Sequence, residues 1–142
     1  MAYAEGLERA PADAPKRSLA LRLVAAAHAE TIVLPRQALA ELHAVLVRKG
    51  GLAPTEAASR VRRWAERAEL IDTDAPVFDA ALDLAADHGL QVFDALILAA
   101  AVQARCDLLL SEDLQDGFAW RGVAVTNPFA PAPDPRLAHL LT

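Results

Sequence analysis

The chain has 142 residues, 54% of them hydrophobic, and a formal charge of −5. Those figures fit one domain with a substantial core and argue against strong non-specific attraction of the whole molecule to nucleic acid. They do not exclude a nucleic-acid substrate, because cations bound at an acidic site reverse its local field.

Helix and strand patterns alternate along the chain, which predicts an α/β domain. Pro11 to Pro15 reads as a turn. Lys16 to His28 reads as a helix with Leu19, Leu23 and Ala26-Ala27 on one stripe. Thr31 to Leu34 is short and β-branched at three of four positions, the pattern of a buried strand. Pro35 suits a helix start, where its missing N–H needs no partner. From Gln37 to Lys49, Leu39, Leu42, Val45 and Leu46 fall at helical spacing, and Gly50-Gly51 closes the helix. Pro54 and Thr55 open another, reaching about Ala68. Glu69 to Asp72 reads as a weak strand. Thr73 or Asp74 can cap a helix over Pro76 to Asp87, which Gly89 ends. Then come a helix from Phe93 to Arg105, a strand from Leu108 to Ser111, a turn at Gln115-Asp116-Gly117 and a strand from Val123 to Thr126. Asn127-Pro128 ends that last strand. Ala130 to Pro135 is rich in Pro and Ala and is expected to be loosely held, so residues 130–142 read as a C-terminal tail to a domain over 1–129.

Asp94 opens an apolar helix, and Asp113 ends an apolar strand. In an open parallel sheet, helix N-termini and strand C-termini share one edge, and ligands bind there. Two carboxylates at that edge can share a hard divalent cation. Each residue also has a plainer reading. Asp94 suits the first turn of a helix through the macrodipole, and Asp113 suits the turn between Ser111 and Gly117. The run Ala95 to Val102 is apolar on every face, so that helix is expected to be buried with Asp94 at its mouth. Glu41 lies on or beside the stripe of its helix. It is either exposed or in need of a cation or donor. Asp116 is a turn former or a further acid. Ser111 caps the turn or bonds Asp113 or a metal-bound water. Glu112 reads as a solvated neighbour. Arg60, Arg63 and Arg67 share a helix face that can track an RNA backbone, but Glu56–Arg60 and Arg62–Glu66 are also ordinary i,i+4 pairs on a solvated face.

His28, His43, His88 and His139 are scattered and, with the single Cys106, have no zinc-type spacing. A bound metal would therefore have carboxylate ligands, which points to magnesium or manganese. No apolar run approaches the ~18 residues of a membrane span, and the first residues lack the pattern of a signal peptide. The expected compartment is the cytoplasm, where one cysteine stays reduced.

From Val92 to Phe129 the sequence resembles the PIN-domain nucleases, especially the VapC-type toxins of toxin–antitoxin pairs. The residues that carry the resemblance are Phe93-Asp94-Ala95-Leu96-Ile97, the run Ser111-Glu112-Asp113-Leu114-Gln115-Asp116-Gly117, and Asn127-Pro128-Phe129. The middle of the chain is similar mainly through Glu41 in Ala40-Glu41-Leu42. The resemblance implies a three-layer α/β/α fold with a central parallel sheet, an acidic Mg2+ or Mn2+ site and endoribonuclease activity. Carried over by position, Glu41, Asp94 and Asp113 belong to the acidic cluster, with Asp116 a possible fourth metal ligand and Ser111 beside them. The partners implied are RNA, an antitoxin protein and a second copy of the chain.

The departure is at the N-terminus. Family members begin with a strand that ends in an aspartate. Met1-Ala2-Tyr3-Ala4-Glu5-Gly6 looks like the segment after such a strand. That strand is central in the family's sheet, so without it two strands should stand apart by twice the roughly 4.8 Å spacing. The favoured explanation is a start codon assigned too far downstream, the full chain being about ten residues longer. A decayed copy, or another segment filling the gap, are the alternatives.

Two functions of different class are compatible with these residues. One is a metal-dependent ribonuclease toxin, weak or inactive without its first acid. The other is an interaction protein that keeps the fold and binds an antitoxin or itself without cutting. A phosphatase-like magnesium hydrolase ranks last, since no early nucleophilic Asp and no Gly-rich phosphate loop is evident.

Overall fold

The computed structural model of the protein describes residues 1, 4–7, 13–27 and 32–142. His28, the expected end of the first helix, Thr31, the expected start of the first strand, and Pro11 in the expected turn lie outside the described residues, as do Ala2 and Tyr3.

The elements run in the expected alternation. They are α1 (Ala14–Ala26), β1 (Val33–Pro35), α2 (Arg36–Arg48), α3 (Pro54–Ala65), β2 (Glu69–Ile71), α4 (Ala75–His88), α5 (Val92–Gln103), β3 (Leu108–Leu110), β4 (Ala119–Trp120), β5 (Val123–Thr126) and α6 (Pro135–Leu140). The fold is α/β. Among the described residues the strands form two sheets rather than one. In the first, β1 pairs in parallel with β2, with Leu34 opposite Leu70. In the second, β5 lies between β3, its parallel partner, and β4, its antiparallel one. Each of β1 and β3 is thus bonded along one edge only. Leu110 is left 44% exposed.

Local chemistry explains most boundaries. Asp74 caps α4, its Oδ1 accepting from the Val77 N–H at 3.0 Å, and its other oxygen accepts from Gln103 Nε2 of α5 at 2.9 Å. Both bonds stabilise the charged form and hold the Asp74 carboxyl below its ordinary pKa, the Gln103 bond contributing most. Gly89 ends α4 in the left-handed conformation, φ 66°, which glycine adopts without a Cβ clash.

Two elements differ from expectation. β4 is a two-residue strand joined to β5 by the tight turn Arg121-Gly122. Both turn residues have positive φ, 44° and 90°, the geometry of a hairpin turn matched to strand twist. The Arg121 guanidinium lies 4.4 Å from the centre of the Trp120 ring, which helps hold a non-glycine residue there. The tail also ends in a helix that residue order did not suggest. Pro135–Leu140 is a helix capped by Asp134, whose Oδ1 accepts from the Arg136 N–H at 2.9 Å. Leu137 of this helix is 1% exposed, and Arg136 Nη1 reaches the Asp107 carbonyl at the start of β3. One buried leucine and one anchored arginine outweigh the Pro/Ala composition that suggested disorder.

The larger core joins Val77, Ala81 and Leu84 of α4, Ala95, Leu96 and Leu98 to Ala101 of α5, Val123 and Val125 of β5, and Leu114. A smaller one joins Leu42 and Leu46 of α2 to Ala57 of α3, with Leu7, Trp64 and Val61 against it. Helix α5 touches both β1 and β5, so it covers strands of both sheets. No described helix is long and apolar enough to cross a membrane.

Leu98 is fully buried in the larger core. Leu98→Ala is expected to lower unfolding free energy by about 2–5 kcal/mol with an unchanged urea m-value. A loss below about 1 kcal/mol would show that α5 is not the packed centre of the molecule.

Candidate active site

Three elements deliver acids toward one region. Asp94 lies in the first turn of α5. Its half-buried position follows from the helix itself, because the residues after it are packed on all sides. Asp113 lies three residues beyond β3, exposed on the loop to β4. Glu41 lies on α2, the helix that directly follows β1. It is exposed, between buried Leu39 and Leu42, and accepts from Gln37 Nε2 at 3.2 Å.

Asp94 feels the charges of the other two acids. Burial raises the Asp94 carboxyl above its ordinary pKa, and the charges of Asp113 and Glu41 raise it further. Asp94 therefore lies within electrostatic reach of both, although they are separated widely in sequence and stand on different sheets' connections. No described cation is paired with any of the three. Among the described residues, no group of three or more His, Cys, Asp or Glu side chains is close enough to hold a metal ion. The donor chemistry, all carboxylate oxygen with mutual repulsion, fits a hard divalent cation. The spacing requires side-chain movement before three of them could grip one ion.

The remaining candidates take structural roles. Ser111 Oγ accepts from the N–H groups of Asp113 at 3.2 Å and Leu114 at 3.1 Å. It thereby shapes the turn and fixes the backbone of Asp113. Asp116 is not among the charges that raise Asp94. Its Oδ1 accepts from the Asn127 N–H at 2.8 Å and ties the loop to the end of β5. The loop is pinned further by the Ser111 N–H to the Thr126 carbonyl at 3.1 Å and the Gly117 N–H to the Val125 carbonyl at 2.9 Å. Asn127 Oδ1 in turn accepts from the Phe129 N–H at 2.9 Å, closing the Asn-Pro-Phe turn.

Two contacts were not evident from residue order. Glu112 is not a free solvated neighbour, since it pairs with Lys16 of α1. A separation of 96 positions leaves no local signal for that pair. Arg60 is also engaged, by Glu56 at 2.8 Å and by Glu5 at 3.2 Å. Glu5 takes a further bond from Trp64 Nε1 at 2.8 Å, so the turn at residues 4–7 docks on α3. Arg60 is therefore not free to track a nucleic-acid backbone, as its helix face had suggested.

In open α/β sheets ligands bind beyond the carboxyl ends of the strands, and Asp113 follows such a strand end while Asp94 lies in the first turn of a buried helix. A family model described as PIN domain matches residues 9–119. The chain belongs to the PIN-domain family. PIN domains are generally nucleases and typically bind divalent metals. No curated protein matches the chain.

The raised carboxyl of Asp94 has a measurable consequence. The folded state holds this proton more tightly than the unfolded state, so stability falls as pH rises from the unfolded pKa through the folded one. The penalty is complete once the pH lies well above the folded pKa. Macrodipole attraction, about 0.3–1 kcal/mol, acts the other way. Without metal, Asp94→Asn is expected to raise the Tm at neutral pH, with the gain shrinking as acid protonates the wild type. A lower Tm at neutral pH would contradict the repulsion.

Proposed function

We propose that this PIN-domain protein is a Mg2+- or Mn2+-dependent endoribonuclease, the toxin of a toxin–antitoxin pair, held in check in the cytoplasm by a cognate antitoxin protein and active as a homodimer. The observation that supports this reading best is the electrostatic meeting of Glu41 and Asp113 on Asp94. Residues that repel one another at a cost to stability have a use when a cation offsets the repulsion. The sequence runs around Asp94 and from Ser111 to Gly117, which resemble VapC-type toxins, support the toxin role.

Glu41, Asp94 and Asp113 would hold the ion, and such an ion supplies Lewis-acid stabilisation at a phosphate and a water of lowered pKa. The chain's own residues do the positioning. Helix α5 sets Asp94 at the mouth of the core, partly shielded from water. Ser111 fixes the backbone at Asp113, and Asp116 fastens the same loop to β5. Net charge is −5, so the bare site repels an RNA backbone. Divalent cations are then needed for substrate approach as well as for chemistry.

A second reading has its own support. No three described acids converge on one ion, which favours a PIN-fold protein that acts only by binding an antitoxin or itself. One experiment separates the two. Purified protein incubated with RNA and Mn2+ is expected to cleave it, EDTA to stop cleavage, and Asp94→Asn or Asp113→Asn to cut the rate by more than about 100-fold, beyond the loss typical of outer-shell partners. Cleavage that survives both EDTA and Asp94→Asn would remove the acids from the mechanism. Metal-independent co-purification with a small partner, and no cleavage under any condition, would establish the binding role.

A further inference from the structure

Lys16 lies in the first turn of α1, remote in sequence from the acids, yet it meets the loop that carries one of them. Its Nζ donates to Glu112 Oε1, and Glu112 directly precedes Asp113. The same ammonium lies 5.3 Å from the centre of the Phe129 ring. One cation thus joins three segments: α1, the turn after β3, and the Asn-Pro-Phe turn after β5. The pair is about one-third exposed, 32% at Lys16 and 37% at Glu112. Ser111 Oγ bonds within the turn, the Ser111 N–H reaches Thr126, and Asp116 reaches Asn127, so these ties stay in the turn or run to β5 and its exit. Lys16 adds a different element, and it acts on the residue beside Asp113.

We propose that Lys16 is a positioning residue for Asp113: clasped between the Glu112 carboxylate and the Phe129 ring, it fixes the turn that presents Asp113 to Asp94. The positioning rests on geometry alone, and its catalytic consequence rests on the nuclease reading above. Both contacts are made by the Lys16 ammonium, so a substitution that removes the charge removes both and one that keeps it retains both. Lys16→Met keeps an apolar stem and loses the charge. Lys16→Arg keeps both. Glu112→Gln tests the same contact from the other side, without touching α1.

Two measurements decide it. In the first, amide hydrogen exchange across residues 111–117 is followed in the intact chain. Lys16→Met and Glu112→Gln are each expected to speed exchange there by about threefold to tenfold, the scale of an exposed ion pair combined with a cation–π contact. Lys16→Arg is expected to restore protection, as is the exchanged pair Lys16→Glu with Glu112→Lys. Unchanged exchange in both Lys16→Met and Glu112→Gln overturns the clasp. In the second, Mn2+-dependent RNA cleavage by the same variants is expected to lose kcat with KM for RNA unchanged, Lys16→Arg again recovering it. A rise in KM confined to Lys16→Met, with Glu112→Gln like wild type, overturns positioning and makes Lys16 a substrate contact. If no form of the protein cleaves RNA, the nuclease reading fails, and the exchange experiment still judges the clasp by itself.

Discussion

Helix α5 has nowhere to go but inward. Of its twelve residues, Ala95, Leu96, Leu98, Ala99, Ala100 and Ala101 are all buried, and they do not form a stripe. They surround the helix. A segment apolar on all faces must be enclosed, and here α4 encloses one side while β1 and β5 take others. Each buried leucine contributes on the order of 1.5–3 kcal/mol relative to exposure, so the position of α5 is set by the strongest favourable force in the fold. The small alanines let neighbouring backbones approach closely. The consequence for the site is geometric. Helix α5 touches a strand of each sheet, and Asp94 lies in its first turn.

That placement works against electrostatics. Partial burial disfavours the charged form of Asp94, and the charges of Asp113 and Glu41 disfavour it further. Several acids elsewhere in the molecule have partners. Asp74 and Asp134 cap helices, Asp116 receives a backbone N–H, Glu5 holds Trp64 and Arg60, and Asp72 pairs with Arg36 at 2.6 Å. The contrast separates acids that hold the structure together from acids that strain it. Groups of the second kind are where function is expected, because the environment that perturbs them is also the one a ligand can relieve. The PIN-domain match over residues 9–119 supplies the class of chemistry, and the perturbed Asp94 is where we propose it takes place.

The helices were legible in the sequence because their signals are local. Asp74 with Pro76, Gly89, and the pair Pro35 and Gly50 mark starts and stops that the structure repeats to within two or three residues. Asp94 and Asp113 stood out for the same reason, since each interrupts an apolar run. The features that escaped were non-local or very short. β4 has two residues and exists only through its hairpin with β5. The Pro/Ala tail reads as loose until Leu137 is seen to be buried. The partner of Glu112 lies on α1, and no periodicity connects Lys16 to it. Ser111 and Asp116 each offered two roles on paper. Hydrogen bonds to Asp113, Leu114 and Asn127 place both in the architecture of the turn.

A shared site requires Asp94 to sense both other acids. Carboxyl carbon-13 NMR of the metal-free protein, followed through an acid titration, reads this directly. The Asp94 midpoint is predicted to lie above that of an ordinary aspartate and to fall when Asp113→Asn or Glu41→Gln removes a neighbouring charge. An ordinary midpoint, indifferent to both replacements, would mean that the three carboxylates do not act together.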